Sequence, residues 1–410
     1  MNASDSECRE GATADMGVLD GLRVVEHAAW VAGPSAGALL ADWGAEVWKV
    51  EPPRGDPFRA IITSQGYSAD IPNAPFTVDN RGKRSIVLDL RTVEGQTAME
   101  CLLSAADVFI TNMRVKSLAR SGLTPDTVAE RHPALVIGLI TGYGLRGPDK
   151  ARAGYDVGAF AARSGILHQM RAGSAPPGPL PLGFGDHVVG LATAAGVLGA
   201  LIERARTGRG QIVETNLLRT GTFTLGWELG TQLLLGRVPG GVDRSRSKTP
   251  LVNCYRSQDD HWFWLLGVEA DRHFPSLMWA IDRDDLPNDP RFATARDRRH
   301  NTDSFIQELD KAFGDKSMSF WQERFDDCGV WWAPVQTPDE VVADDQAQAA
   351  GCFVDVEGAD FQTVANPVEF TYRPTQSVTA APALGADTEA VLRQAGCPED
   401  VIAGVTSTRR

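Results

Sequence analysis

The sequence contains no run of about 18 apolar residues, so no membrane span is expected. Residues 1–16 (MNASDSECREGATADM) lack the apolar centre of a secretory leader, and residues 1–18 read as a disordered lead-in. Positive charge is scarce: 40 Lys and Arg stand against 53 Asp and Glu, a net charge of −13. That balance disfavours non-specific binding to nucleic acid or to an anionic membrane, and neither is expected as a partner. The six cysteines (Cys8, Cys101, Cys254, Cys328, Cys352 and Cys397) form no C-x-x-C pair and have no zinc-ligand spacing to a histidine. Free thiols in a reducing, cytoplasmic setting are the expectation. There is no H-E-x-x-H and no Walker A loop, the loop Ala28–Gly37 is not a G-x-G-x-x-G, and no metal site is expected.

What is present is an ordinary globular composition, 43% hydrophobic and 23% charged, on 410 residues, a length for two domains. Leu22–Glu26 and Ala45–Val50 read as strands around a helix at Ser35–Trp43. Strands at Ser85–Leu90, Asp107–Thr111 and Leu135–Ile140, with a helix at Val93–Ala105, continue the alternation. The pattern predicts an α/β fold, a Rossmann-like doubly wound parallel sheet. Residues 171–185 (RAGSAPPGPLPLGFG) form a Gly/Pro loop that delivers a helix at His187–Arg206. Val188, Leu191, Leu198 and Ile202, with Ala195 between them, are expected to be its buried face. The texture changes after about residue 225. Cys254–Leu266 reads as a hairpin around SQDDHWFWLL, and Trp331–Trp332 as β and core or interface. The expected domains are a large one at 19–225, a small α+β one at 226–344 with its linkers, and a return to the large domain at 345–410, with a last helix at Thr388–Gln394.

Three places can carry chemistry. Loop Ala28–Gly37 (AAWVAGPSAG) lies where parallel sheets bind ligands, and tight helix–strand packing explains it equally well. Glu51 ends the next strand, the place of a ribose-binding acid, but no glycine fingerprint accompanies it. Asn80–Arg84 (NRGKR) and Asn112–Arg120 (NMRVKSLAR) gather Arg81, Lys83, Arg84, Arg114, Lys116 and Arg120 in an otherwise acidic chain. They read either as solvated surface or as a phosphate grip. Asp186 precedes the small-residue helix and fits both an N-cap and a carboxylate nucleophile. At a helix N-terminus it is expected to stay ionised. His187 beside it and the Tyr155–Asp156 pair are further candidates.

The run LDGLRVVEHAAWVAGPSAGALLADWGAEVWKVEPPRGDPFR resembles the opening of family III CoA-transferases. NRGKRSIVLDL, ADVFITNMR, GYGLRGP, GYD, ALIERARTGRGQIVETNL, ANPVEF and APALG continue the resemblance over nearly the whole chain from Leu19. The resemblance implies Asp186 as the nucleophile. It implies coenzyme A contacts near Trp30, Val31, Ala32, Lys83, Arg84, Asn112, Met113, Arg114, Arg120, Tyr143 and Tyr155. It also implies an interlocked homodimer, with acyl-CoA and a small carboxylic acid as substrates and no prosthetic group. Met113 and Val115–Lys116 depart from the family's usual Phe and Pro-Gly. The loop covering the nucleophile is only loosely matched by GGVDRSRSKTP. The related α-methylacyl-CoA racemases carry a histidine where Tyr155 stands. A racemase needs two opposed acid/base groups, so the tyrosine favours transfer.

Overall fold

The computed structural model describes residues 17–238, 243–373 and 377–407. Residues 1–16 of the expected lead-in fall outside these, as do residues 239–242 of the basic loop, while Val18 already opens a turn. The chain divides into two compact units, one of Met1–Ile166, Pro179–Leu234 and Ala350–Arg410, the other of Leu167–Gly178 and Leu235–Ala349.

The first unit is built on six strands, β1 (Arg23–His27), β2 (Glu46–Glu51), β3 (Lys83–Val87), β4 (Val108–Thr111), β5 (Val136–Thr141) and β6 (Ile212–Asn216). Their order is β3-β2-β1-β4-β5-β6, and every pairing is parallel. Strand order therefore reverses direction between β1 and β4, the switch point at which such sheets leave a crevice. Both faces are covered, because successive side chains alternate. Val24, Val47, Val108 and Val136 pack against α1 (Ala32–Asp42) through Ala36, Leu39 and Leu40. Val25, Trp48, Phe109 and Ile137 point the other way, with α2 (Ala74–Asn80) leading into β3 and α3 (Val93–Ser104) supplying Met99, Leu102 and Leu103. Truncating a fully buried side chain here, such as Phe109, costs about 3–5 kcal/mol.

Three expectations are corrected. Strand β6 is not among the anticipated strands, because Glu214 and Thr215 interrupt its apolar run; as an edge strand it is only half buried. Strand β3 begins at Lys83, since Val47 pairs with Lys83 and Trp48 with Arg84. The long helix, α4 (Phe184–Thr207), buries Gly185, Val189, Gly190, Thr193, Ala194, Val197 and Ala200. The expected face is not the buried one: Leu191 is 38% and Ile202 66% exposed. Small residues win because α1 comes so close that a Cβ on Gly190 would run into Ser35 Oγ. Helix α4 is also long and apolar enough, by length and composition, to cross a membrane.

The C-terminal return closes the edge of the sheet. Strands β10 (Phe353–Glu357), β11 (Gln362–Val364) and β12 (Ser377–Thr379) form a small mixed sheet. The free amides of β3 are then taken by side chains: Ser85 N–H donates to Asp387 at 2.9 Å and Val87 N–H to Thr388 Oγ1 at 3.1 Å. The Thr388–Gln394 helix matches its expected bounds, and a further helix, Glu399–Ser407, follows it.

In the second unit β7 (Val252–Arg256) and β8 (Trp262–Leu266) form the expected hairpin, and β9 (Trp332–Pro334) adds to β8. Asp260, at φ +66°, makes the turn. Its core is aromatic, with Tyr255, Phe263, Phe292, Phe305, Phe313 and Phe325 fully buried. Trp332 packs against this core, whereas Trp331 is half exposed.

Candidate active site

At the switch point one side chain ties the loop after β1 to the end of β4. Asn112, just past β4, accepts from Ala29 N–H at 2.9 Å and donates to Ala29 C=O at 2.7 Å, clasping the loop that leaves β1. The next residue, Trp30, sits at φ +65°, a strained setting for a bulky side chain. Asp56 holds it there by accepting from Trp30 N–H at 3.1 Å. Trp30 remains 39% exposed, and its ring meets Tyr155 edge-on at 6.3 Å. Val31 and Ala32 turn inward to open α1.

Helix α4 begins in the same place. A Cβ on its N-cap, Gly183, would lie 3.5 Å from Val31 Cγ1 and 3.6 Å from His187 Cε1. Asp186 is therefore the third residue of α4, and Gly183, at φ +76°, holds the cap position expected for it. Nor is Asp186 an ordinary ionised carboxylate. Burial raises its pKa from 3.8 to about 7, and the charge of Asp156 adds to the rise; His187 opposes it and Asp79 reinforces it. The expectation of an ionised carboxylate rested on the helix dipole, and burial outweighs that term. Gly185 lets the backbone pass the Phe160 ring, into which a Cβ would run. That contact fixes where the helix, and so Asp186, starts.

His187 Nε2 lies 2.9 Å from Asp79 Oδ1. Asp79 is 2% exposed on α2, and its backbone carbonyl accepts from Lys83 Nζ at 2.6 Å. Lys83 reaches on to Glu26 at 2.6 Å, and Lys49 pairs with both Glu26 and Asp56 at 3.0 Å. Burial works against the charge on Glu26, but Lys83 and Lys49 outweigh it and lower the pKa of this carboxyl. A Cβ on Gly37 would collide with Glu26, so glycine there makes room for the buried acid.

This network splits the basic cluster read from the sequence. Lys83 and Arg84 fall on opposite faces of β3. Lys83 is spent on Glu26, and burial, partly offset by Glu26, lowers its pKa to about 8. Arg84 pairs with Glu46 at 2.7 Å and with Asp387 at 3.6 Å. Arg81 pairs with Asp42 at 2.7 Å. Neither Lys83 nor Arg84 presents a free cation to a phosphate, and the one-residue alternation of the strand is the reason. Arg114, Lys116 and Arg120 stay exposed beside Asn112. Met113 turns in against the core. Glu51, weighed as a ribose acid, is buried and holds Arg59 at 2.6 Å and Ser85 Oγ at 2.7 Å. Tyr143 follows β5, and Arg163 lies 5.7 Å over its ring. Gly142 and Gly154 touch backbone to backbone, bringing the GYG and GYD segments together. Asp79 had no signal in the sequence beyond its place before NRGKR, because its partner lies 108 residues away.

The sequence model of CoA-transferase family III matches residues 19–388. The chain belongs to this family. (R)-2-hydroxy-4-methylpentanoate CoA-transferase of Clostridioides difficile is 30% identical over 389 residues, 94% of this chain and 97% of its own. Cinnamoyl-CoA:phenyllactate CoA-transferase of Clostridium sporogenes is 31% identical over 392 residues, 94% of this chain and 95% of its own. A crystal structure of a CAIB/BAIF family protein from Brucella suis superposes with a TM-score of 0.82 at 29% identity, covering 93% of this chain and all of that one. The family III protein described here is thus a CoA-transferase, an enzyme whose substrates are CoA thioesters.

Proposed function

We propose that this CoA-transferase exchanges coenzyme A between an acyl-CoA and a carboxylic acid through covalent chemistry on Asp186. The observation that carries the reading is the position of Asp186: a partly buried carboxylate on the third residue of α4, whose N-cap Gly183 lies against Val31 of the loop that leaves β1 at the switch point. In its ionised form Asp186 attacks the acyl carbonyl. The C–S bond breaks, leaving a mixed anhydride and the CoA thiolate. The thiolate attacks the aspartyl carbonyl, releasing the first acid and forming an aspartyl thioester. The incoming carboxylate attacks that thioester and expels the thiolate, giving a second mixed anhydride; the thiolate then attacks its acyl carbonyl, forming the new acyl-CoA and releasing the Asp186 carboxylate. The thiolate stays tethered by its nucleotide end throughout, which raises its effective concentration. Backbone N–H groups at the α4 start are the candidates for receiving the oxyanions.

The nucleotide grip is assigned to Trp30, Val31, Ala32, Asn112, Arg114 and Arg120, with Tyr143 and Tyr155 at the rim. Acids of the 2-hydroxy and aromatic type head the acceptor panel, because two relatives are named for such acids. The interlocked homodimer belongs to the same reading. It is supported by apolar surface left open on the single chain, including Leu191, Ile202, Phe223, Trp227, Leu233 and Leu234. Free thiols at Cys101, Cys254, Cys328, Cys352 and Cys397 suit a reducing, cytoplasmic setting.

The test is a mass-spectrometric exchange screen over acyl-CoA and acid pairs, with Asp186→Ala and Asp186→Asn as controls. Loss of exchange in both, and a CoA or acyl adduct on the Asp186 peptide of the native enzyme, is expected. Full activity in either variant overturns the mechanism. Exchange of an α-hydrogen into solvent deuterium without an acceptor acid would point to racemase chemistry instead.

A further inference from the structure

We propose that Asp79 and His187 act as a positioning pair that holds a positive charge beside Asp186 and keeps the nucleophile ionised near neutral pH. The inference rests on Asp186 being the nucleophile and adds the device that prepares it.

The geometry carries the argument. The imidazole lies between two fixed partners. On one side, Nε2 meets Asp79 Oδ1 at 2.9 Å, so this nitrogen carries the proton. On the other, the ring edge bearing Cε1 and Nδ1 runs under Gly183, the cap of the nucleophile's own helix. Asp79 is anchored at its own carbonyl and through the side chain of its neighbour Asn80. Lys83 Nζ donates to Asp79 C=O at 2.6 Å and to Asn80 Oδ1 at 3.1 Å, while remaining paired with Glu26. The buried network contains four acids, Glu26, Glu51, Asp56 and Asp79, against three bases, Lys49, Lys83 and Arg59. A protonated His187 supplies the fourth positive charge.

Every charged neighbour fits that role. Around His187 stand Asp79 and Arg81 from the α2 segment and Asp186 from α4. The hydrogen bond to Asp79 raises the imidazole pKa; burial opposes the rise, the charges of Asp79 and Asp186 reinforce it, and Arg81 weakens it. Around Asp186 stand Asp156, His187 and Asp79. Burial and Asp156 push its proton on, Asp79 adds to them, and His187 pushes it off. Burial is also the main reason that Asp79 titrates higher than an ordinary aspartate, with His187, Lys83 and Arg81 opposing it. Among the described residues, His187 is thus the cation that favours the ionised form of Asp186.

The experiment is the pH profile of kcat/KM for CoA exchange in the full-length enzyme. The native acid limb should lie near pH 7, falling as Asp186 takes up its proton. His187→Gln keeps a side chain that reaches Asp79 but carries no charge, and should move that limb upward, with the loss concentrated on the acid side. Asp79→Asn should move it in the same direction. His187→Lys, which restores a charge, should bring it back, and Asp156→Asn should move it downward. Damage to folding alone would lower the rate evenly across pH, and circular dichroism checks it separately. A limb that stays in place in both His187→Gln and Asp79→Asn overturns the pairing. If Asp186→Asn keeps full activity, the nucleophile assignment itself has failed.

Discussion

Replacing Asp186 with asparagine should do two opposite things: end CoA exchange and make the folded protein more stable at alkaline pH. A folded-state pKa of about 7 against 3.8 means that the native state holds a proton the unfolded chain has already released. Below the unfolded value both states are protonated, and the group contributes nothing to the balance. As pH rises from about 4 to about 7 the unfolded state gains charge freely, while the folded state must bury it. Stability is therefore lost across that window, and the full cost stands above it. The interval corresponds to about 4 kcal/mol at full burial, from 1.36 kcal/mol for each pKa unit. Asp186 is only partly buried, so solvent screening brings the expected gain for Asp186→Asn to about 1–3 kcal/mol, or roughly 2–8 °C in melting temperature. Thermal melts of both proteins at pH 5, 6, 7 and 8 measure it. The difference should be smallest at pH 5 and level off by pH 8. A difference that does not change with pH, or an asparagine variant that melts lower at pH 8, refutes the claim that burial strains this carboxylate.

Three further outcomes follow from the packing. Glu26→Gln leaves Lys49 and Lys83 without their shared buried counter-charge and should cost about 3–5 kcal/mol in urea unfolding; an unchanged midpoint would show that the network is not coupled. Gly185→Ala drives a Cβ into the Phe160 ring and should cost about 1–3 kcal/mol, with a fall in kcat because the start of α4 must shift; native kcat would show the contact is soft. Arg114→Ala with Arg120→Ala should raise KM for the CoA thioester about fivefold to tenfold, with KM for the acid unchanged, because a charge-assisted contact with phosphate is worth about 1.5–3 kcal/mol and these side chains are exposed. A KM that rises for both substrates, or for neither, removes the nucleotide grip from this loop.

Asp186, the loop before it and five of the six central strands were legible in the chain because each is a local signal: a Gly/Pro run, a small-residue helix, and β-branched runs at regular spacing. The sequence by itself determined the α/β class and the excess of acid over base. Only the tertiary structure decided which charges are free. Lys83 and Arg84 are neighbours in sequence, yet the pleat sends one into Glu26 and the other to Glu46 and Asp387. The buried face of α4 likewise went to glycine, alanine, threonine and valine and not to the larger Leu191 and Ile202, because α1 comes so close there. Asp79 met His187 across 108 residues. Pairing at that range depends on how layers stack, and no spacing along the chain encodes it.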